Sequence, residues 1–322
     1  MKKITICSPM YNEAENIVQF YDEVSKILAK ISDKYDYEFL FINDGSLDES
    51  LNIVEALREK DARVNFVDLS RNYGKEIAMA AGFDYATGDA MIIMDTDLQH
   101  PPAIILEMIK EWENGYQDVY GKRRERPGES WLKRKTSSYY YKILQKFSNV
   151  PVLPGVGDFR LLDRVCIEGI KKLRESQRYT KGMYMWVGYR KKEVLFDAEE
   201  RFAGETKWKW SSLINLAIDG ITSNTIMPLR ITSFVGAVIS IISFFYMIYI
   251  FCSTLFFGIS GSGFPTLIIT ILFLGGLQLL FLGIIGEYIG KIFIEVKRRP
   301  IYLIQKYSGE KDFEKTGDPD ET

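Results

Sequence analysis

Histidine is almost missing from this sequence. Its 322 residues contain one, His100. A hydrolytic site built on two or more histidines is therefore excluded, and zinc chemistry finds no support. Cysteine is scarce as well. Cys7, Cys166 and Cys252 are scattered, odd in number and without metal-ligand spacing, so a disulfide framework is not expected and a reducing compartment fits. No Gly-x-Gly-x-x-Gly follows a strand-like run, and no Gly-x-x-x-x-Gly-Lys-Ser/Thr phosphate loop is present. The formal net charge of -2 argues against a general nucleic-acid binder. The N-terminus starts basic, but its short apolar run is broken at Pro9, so it reads as a first strand rather than a signal peptide.

The largest absence is of charge. Between Ile231 and Gly286 there is no Asp, Glu, Lys, Arg or His. About 20 apolar residues already span a bilayer, so a wholly soluble protein is excluded. No comparable run exists elsewhere, which excludes a many-helix transporter. As one helix the block would extend roughly 80 Å, against a hydrocarbon core of about 30 Å. The glycine-rich stretch from Gly258 to Pro265 supplies a break, giving two spans at about 231–257 and 264–286. Lys207, Lys209 and Arg230 precede the pair, and Lys291, Lys297, Arg298 and Arg299 follow it. The positive-inside rule then puts both flanks, and with them the large N-terminal domain and both termini, on the cytoplasmic side of the inner membrane.

What is present before the apolar block is an alternation of short apolar runs and helical periodicities. Strands are expected at 4–7, 37–43, 64–68, 90–94 and 119–122. Helices are expected at 14–31, 48–60 and 75–85 and from Pro101 to Asn114. That order implies an α/β layered sheet with parallel pairing, covered on both faces. The expected domains are 1–206, an interfacial segment at 207–230, the two spans within 231–290, and a cytoplasmic tail at 291–322 whose acidic end is expected to be disordered. The sheet is expected to be complete before the spans. Residues 131–147 and 207–221 mix Trp, Tyr, Phe and Leu with Lys and Arg, a composition that suits a helix lying on a membrane surface.

In an open α/β sheet the site lies beyond the carboxyl ends of the strands. Those ends carry Ser8-Pro9-Met10-Tyr11-Asn12-Glu13, Asn43-Asp44-Gly45-Ser46, Ser70-Arg71-Asn72-Tyr73-Gly74-Lys75 and Asp95-Thr96-Asp97. Two carboxylates two residues apart at a strand end suit a hard divalent cation, which takes one or two carboxylates plus substrate phosphates. A basic segment follows, with nine Lys or Arg between Lys122 and Lys146 against two Glu. His100 stands beside Asp97 but before two prolines, a position that closes a loop more readily than it ligates metal.

Pro9-Met10-Tyr11-Asn12-Glu13, Asn43-Asp44-Gly45-Ser46, the run Asp95 to Pro102 and Gly157-Asp158-Phe159-Arg160-Leu161-Leu162-Asp163 together resemble glycosyltransferase family 2. The resemblance is closer to its polyprenyl-phosphate members, the bactoprenol glucosyltransferases and relatives of dolichyl-phosphate-mannose synthase. It implies a GT-A fold (Rossmann-like, mostly parallel), a nucleotide-sugar donor and Mg2+ or Mn2+. By position, Pro9, Tyr11 and Glu13 would line the nucleoside, Asp44 would bond the base, Asp95 would sit by the ribose or metal, and Asp97 would be the main metal ligand. Asp158 matches the position proposed as catalytic base, although a carboxylate paired to Arg160 is the plainer alternative. Arg123 and Arg134 would face the acceptor phosphate, and Arg201 and Lys207 would lie over the diphosphate. The family usually carries Asp-Asp-Gly-Ser where this chain has Asn43. The Gln-x-x-Arg-Trp of processive polysaccharide synthases is absent, which argues for one sugar per turnover. The implied reaction is inverting transfer of a sugar, UDP-glucose first, to undecaprenyl phosphate. Transfer to a glycan or protein hydroxyl and a non-catalytic membrane scaffold are the alternatives. A homo-oligomer stays open.

Overall fold

The structure is a computed structural model that describes residues 1–124, 156–197, 227–257 and 263–309. It divides into two units, one holding the N-terminal residues together with those from Pro300 onward, the other holding the apolar helices.

The first unit begins β1 (Lys2–Met10), α1 (Ile17–Leu28), β2 (Tyr35–Asn43), α2 (Ser50–Lys60), β3 (Val64–Leu69), α3 (Lys75–Tyr85), β4 (Ala90–Ile93) and α4 (Ile104–Glu113). It continues with β5 (Asp118–Arg123), β6 (Val156–Asp163), α5 (Arg164–Lys171), α6 (Thr180–Trp186) and β7 (Lys191–Phe196). The strands are apolar on both faces because both faces are covered. In β2, Phe39 and Phe41 enter one core while Leu40 and Ile42 enter the other. In β4, Ala90 and Ile92 alternate in the same way with Met91 and Ile93. On one side α1 contributes Ile17, Phe20, Val24 and Leu28, one helical stripe. On the other side α3 lies so close that a Cβ on Gly82 would stand 2.4 Å from the Cys7 sulfur. Both Cys7 and Cys166 are buried and free.

The sheet order is β7-β5-β6-β4-β1-β2-β3-β8, and β4, β1, β2 and β3 are parallel neighbours as the alternation implied. Two findings correct the expectation. First, β5 does not join β4. The antiparallel β6 lies between them, paired to both. Second, the sheet is not complete before the apolar block. Its last strand, β8 (Ile304–Tyr307), comes after the second apolar helix and pairs antiparallel with the edge of β3. Tyr302, Ile304 and Tyr307 pack on the core beside α3, and the Tyr302 hydroxyl donates to Asp84 at 2.6 Å. An unpaired edge needs a cover, and a short strand is invisible to periodicity when its partner lies over two hundred residues away.

The second unit contains α7 (Met227–Phe257) and α8 (Phe264–Val296). Both are long and apolar enough to cross a membrane. Helix α8 runs ten residues beyond the expected end at 286, because Glu287, Lys291 and Glu295 interrupt hydropathy without breaking helix. Phe234 and Leu279 are over 70% exposed, part of a large apolar surface of the kind that marks an interaction site. The surface segments expected at 131–147 and 207–221 lie outside the described residues, as do Arg134, Arg201 and Lys207.

Candidate active site

Parallel register aligns the strand ends. Pro9 pairs with Ile42 and Met10 with Asn43, so the loops after β1 and β2 leave the sheet side by side. They are stitched together there. The Asn12 amide donates to the Ser46 hydroxyl at 3.0 Å and the Leu47 amide to the Asn12 side-chain oxygen at 2.8 Å. Asn12 adopts φ +55° and Gly45 φ +66°, a region that Asn tolerates and Gly favours. A Cβ on Gly45 would stand 2.5 Å from the Arg71 backbone, so the second loop can pass beneath the third only as glycine.

Asp44 fixes that third loop. Its carboxylate accepts the Tyr73 amide at 2.7 Å and the Gly74 amide at 2.8 Å. Burial pushes the Asp44 carboxyl above the ordinary range, while the two amides and Arg71 oppose it. Asn43 points elsewhere. Its amide donates to the buried Asp68 carboxylate at 2.7 Å, and its oxygen accepts the Ser46 amide. A carboxylate at position 43 would face Asp68 directly.

The antiparallel β6 completes the site. Ile93 of β4 stands opposite Arg160, and beyond that pair Asp95 and Asp158 meet on one ammonium. Lys75, the first residue of α3, lies between these carboxylates. Its ammonium donates to both oxygens of Asp95, at 2.6 and 2.7 Å, and stands 3.5 Å from Asp158. Burial disfavours that charge, but Asp95 and Asp158 outweigh it and raise the Lys75 pKa. Arg160 is not the partner of Asp158. It is buried against Asp118 at 3.1 Å, with its guanidinium 3.5 Å above the Tyr184 ring.

Pro9, Tyr11, Glu13, Asp44, Asp95 and Asp97 line one cleft of about 320 Å3. Six of the residues singled out in the sequence thus share a wall-to-wall space, and Asp158 adjoins it through Lys75. Arg123 ends β5 in register with Phe196 and does not line that cleft. His100 stacks on Phe159 at 4.7 Å and meets Phe196 edge-on at 5.4 Å, so it packs under the loop as expected. Burial lowers its pKa. Sequence reasoning gave Lys75 no role. The available signal was a cation at the start of a helix, where the macrodipole disfavours it unless an anion is near.

Residues 5–170 match the family described as Glycosyl transferase family 2. An uncharacterized glycosyltransferase of Synechocystis is 42% identical over 95% of this chain and 96% of its own length. A putative glycosyltransferase of Bacillus subtilis is 44% identical over 94% and 91%. A prophage bactoprenol glucosyl transferase homolog of Escherichia coli is 42% identical over 94% and 99%. Among solved structures, a mannosyltransferase of Pyrobaculum calidifontis in complex with GDP-Man and Mn2+ aligns over 63% of this chain and 57% of that one, at TM-score 0.42 and 18% identity.

Proposed function

The chain belongs to glycosyl transferase family 2, and from that premise we propose that it moves one sugar from a nucleotide-sugar, UDP-glucose first, to a membrane-borne polyprenyl phosphate with inversion at C1. The observation that carries the proposal is the convergence of Asp95, Asp97, Pro9, Tyr11 and Asp44 on one cleft beyond the strand ends, with Asp158 joined to it through Lys75. The name of the Escherichia coli relative supports the lipid acceptor. So do α7 and α8, which would hold the protein at the leaflet where a lipid phosphate lies.

The donor set fits a divalent ion. Asp97 and Asp95 line the cleft, Asp95 with both oxygens on Lys75, and among the described residues no group of three or more His, Cys, Asp or Glu gathers into a metal site by itself. A diphosphate would complete the shell, the usual manner for Mg2+. When bound, such an ion offsets the charge of the departing diphosphate. The chain's own residues do the rest. Tyr11 and Pro9 flank the nucleoside, Asp44 holds the 73–74 loop beside it, and Asp158 borders the acceptor. The acceptor phosphate attacks C1 from the face opposite the leaving group, so an α-linked donor yields a β-linked lipid-phosphate sugar. With a second pKa of about 6, a phosphate monoester is mostly dianionic at neutral pH and needs little help from a base. Asp158, beside an ammonium, serves as a positioning group.

The test is full-length protein in liposomes with undecaprenyl phosphate and a panel of nucleotide-sugars. A lipid carrying one glucose is expected from UDP-glucose. Asp97→Asn should abolish transfer with the fold intact and weaken UDP binding in Mn2+ far more than in EDTA. Equal UDP affinity of the wild type with and without metal would overturn the metal assignment. Asp158→Asn should lose a constant factor between pH 6 and 8.5. Recovery of that variant toward wild type at high pH would instead make Asp158 a general base.

A further inference from the structure

Lys75 stands where a metal-dependent cleft has most use for its carboxylates. Its ammonium takes both oxygens of Asp95, the first acid of the Asp95-Thr96-Asp97 pair, and also reaches Asp158 on the facing strand. The side chain is not buried beyond exchange, since 43% of its surface is exposed. It is well placed from behind. Gly74, at φ +95°, turns the chain into α3, and its carbonyl accepts the Ile77 and Ala78 amides. The next residue, Glu76, accepts the amide and hydroxyl of Thr180. A cation at the start of α3 opposes the helix dipole, so the two carboxylates are what keep it there.

We propose that Lys75 is the internal counter-ion of this cleft, occupying Asp95 until a nucleotide diphosphate arrives, so that metal binding depends on nucleotide binding. The inference rests on the metal reading above. A divalent cation alone must displace a bound ammonium from Asp95 and then meet its repulsion. A nucleotide diphosphate removes both obstacles, because its negative charge attracts the released ammonium while its oxygens complete the metal shell. The coupling is reciprocal by linkage. Removing the Lys75 charge should therefore strengthen metal binding in the absence of nucleotide, the opposite of what deleting a structural residue would do.

The experiment is Mn2+ binding to full-length protein, read from the spin-resonance signal of free Mn2+, with and without UDP. Lys75→Met and Lys75→Gln are compared with the wild type and with Lys75→Arg, and thermal melts identify which variants fold. Both neutral variants are expected to bind Mn2+ alone at least about tenfold more tightly than the wild type, given the repulsion of a cation a few ångströms away. The enhancement by UDP should shrink in both, and Lys75→Arg should behave as the wild type. Mn2+ affinity without UDP that is unchanged or weaker in the neutral variants would overturn the proposal while leaving the metal reading intact. Absence of Mn2+ binding by every form, with or without UDP, would sink both.

Discussion

Single side chains decide how the strand-end loops are held. Asn43 is the clearest case, since one amide donates to buried Asp68 and accepts from Ser46. Asn43→Asp would put two carboxylates in contact with little water between them. It is expected to cost about 1–3 kcal/mol, the scale of an uncompensated buried polar group, read as a lower denaturation midpoint at pH 7. The double variant Asn43→Asp/Asp68→Asn reverses donor and acceptor and should recover most of the loss. No recovery would show that Asp68 is needed as a charge rather than as a partner. Lys75 belongs to the same scale. A sequence pattern marks the carboxylates but not the cation between them, because α3 delivers it from 20 residues away in the chain.

At the scale of elements, β6 is the piece that brings a further carboxylate beside the cleft. It runs against β4 and so returns Asp158 to the end of the sheet where the parallel strands finish. It also carries Phe159, which with Phe196 of β7 encloses His100. That packing has a pH consequence. Burial holds the His100 pKa below its ordinary value near 6.5, so the unfolded chain binds the proton more readily than the folded one. Stability is then complete above about pH 6.5 and falls as pH drops toward the folded pKa. Thermal midpoints should decline between pH 7.5 and 5.5, and His100→Gln should lessen that decline. His100 is the sole histidine, so the difference between the two proteins isolates it. An identical decline in both would assign the pH response to carboxylates instead.

Across the whole molecule, the chain leaves the sheet after β7, passes through both apolar helices and rejoins the sheet at β8. Truncation after Thr222 therefore removes more than an anchor. It strips β3 of its partner strand, takes the Tyr302 hydroxyl from Asp84 and removes the Tyr307 ring, whose centroid lies 4.6 Å from that of Tyr85. The remnant is expected to melt lower by several kcal/mol, since burying one large side chain is worth about 1.5–3 kcal/mol, and to self-associate through the bare edge. Restoring 300–309 on a short linker in place of the helices should recover the midpoint. A remnant as stable and monodisperse as the restored form would show that β8 adds nothing.

The α/β class, the boundaries of α3, the two apolar helices and the acidic strand ends were legible in the sequence, because each depends on neighbours a few residues apart. Periodicity of two or 3.6 reports which face is buried, and an uncharged run reports its solvent. Four ordered motifs also pointed to the family. Tertiary structure decided the remainder. The antiparallel insertion of β6 between β4 and β5 depends on long-range pairing that no local pattern encodes. The pairing of Arg160 with Asp118 rather than Asp158 depends on it as well: β5 sets Asp118 diagonally across from Arg160, while Asp158, on the same face of β6, is met by Lys75. The return of β8 to the sheet joins segments separated by both apolar helices. Lys75 meets Asp95 and Asp158 only because α3 and β6 begin where β4 ends, a coincidence in space that has no counterpart in residue order.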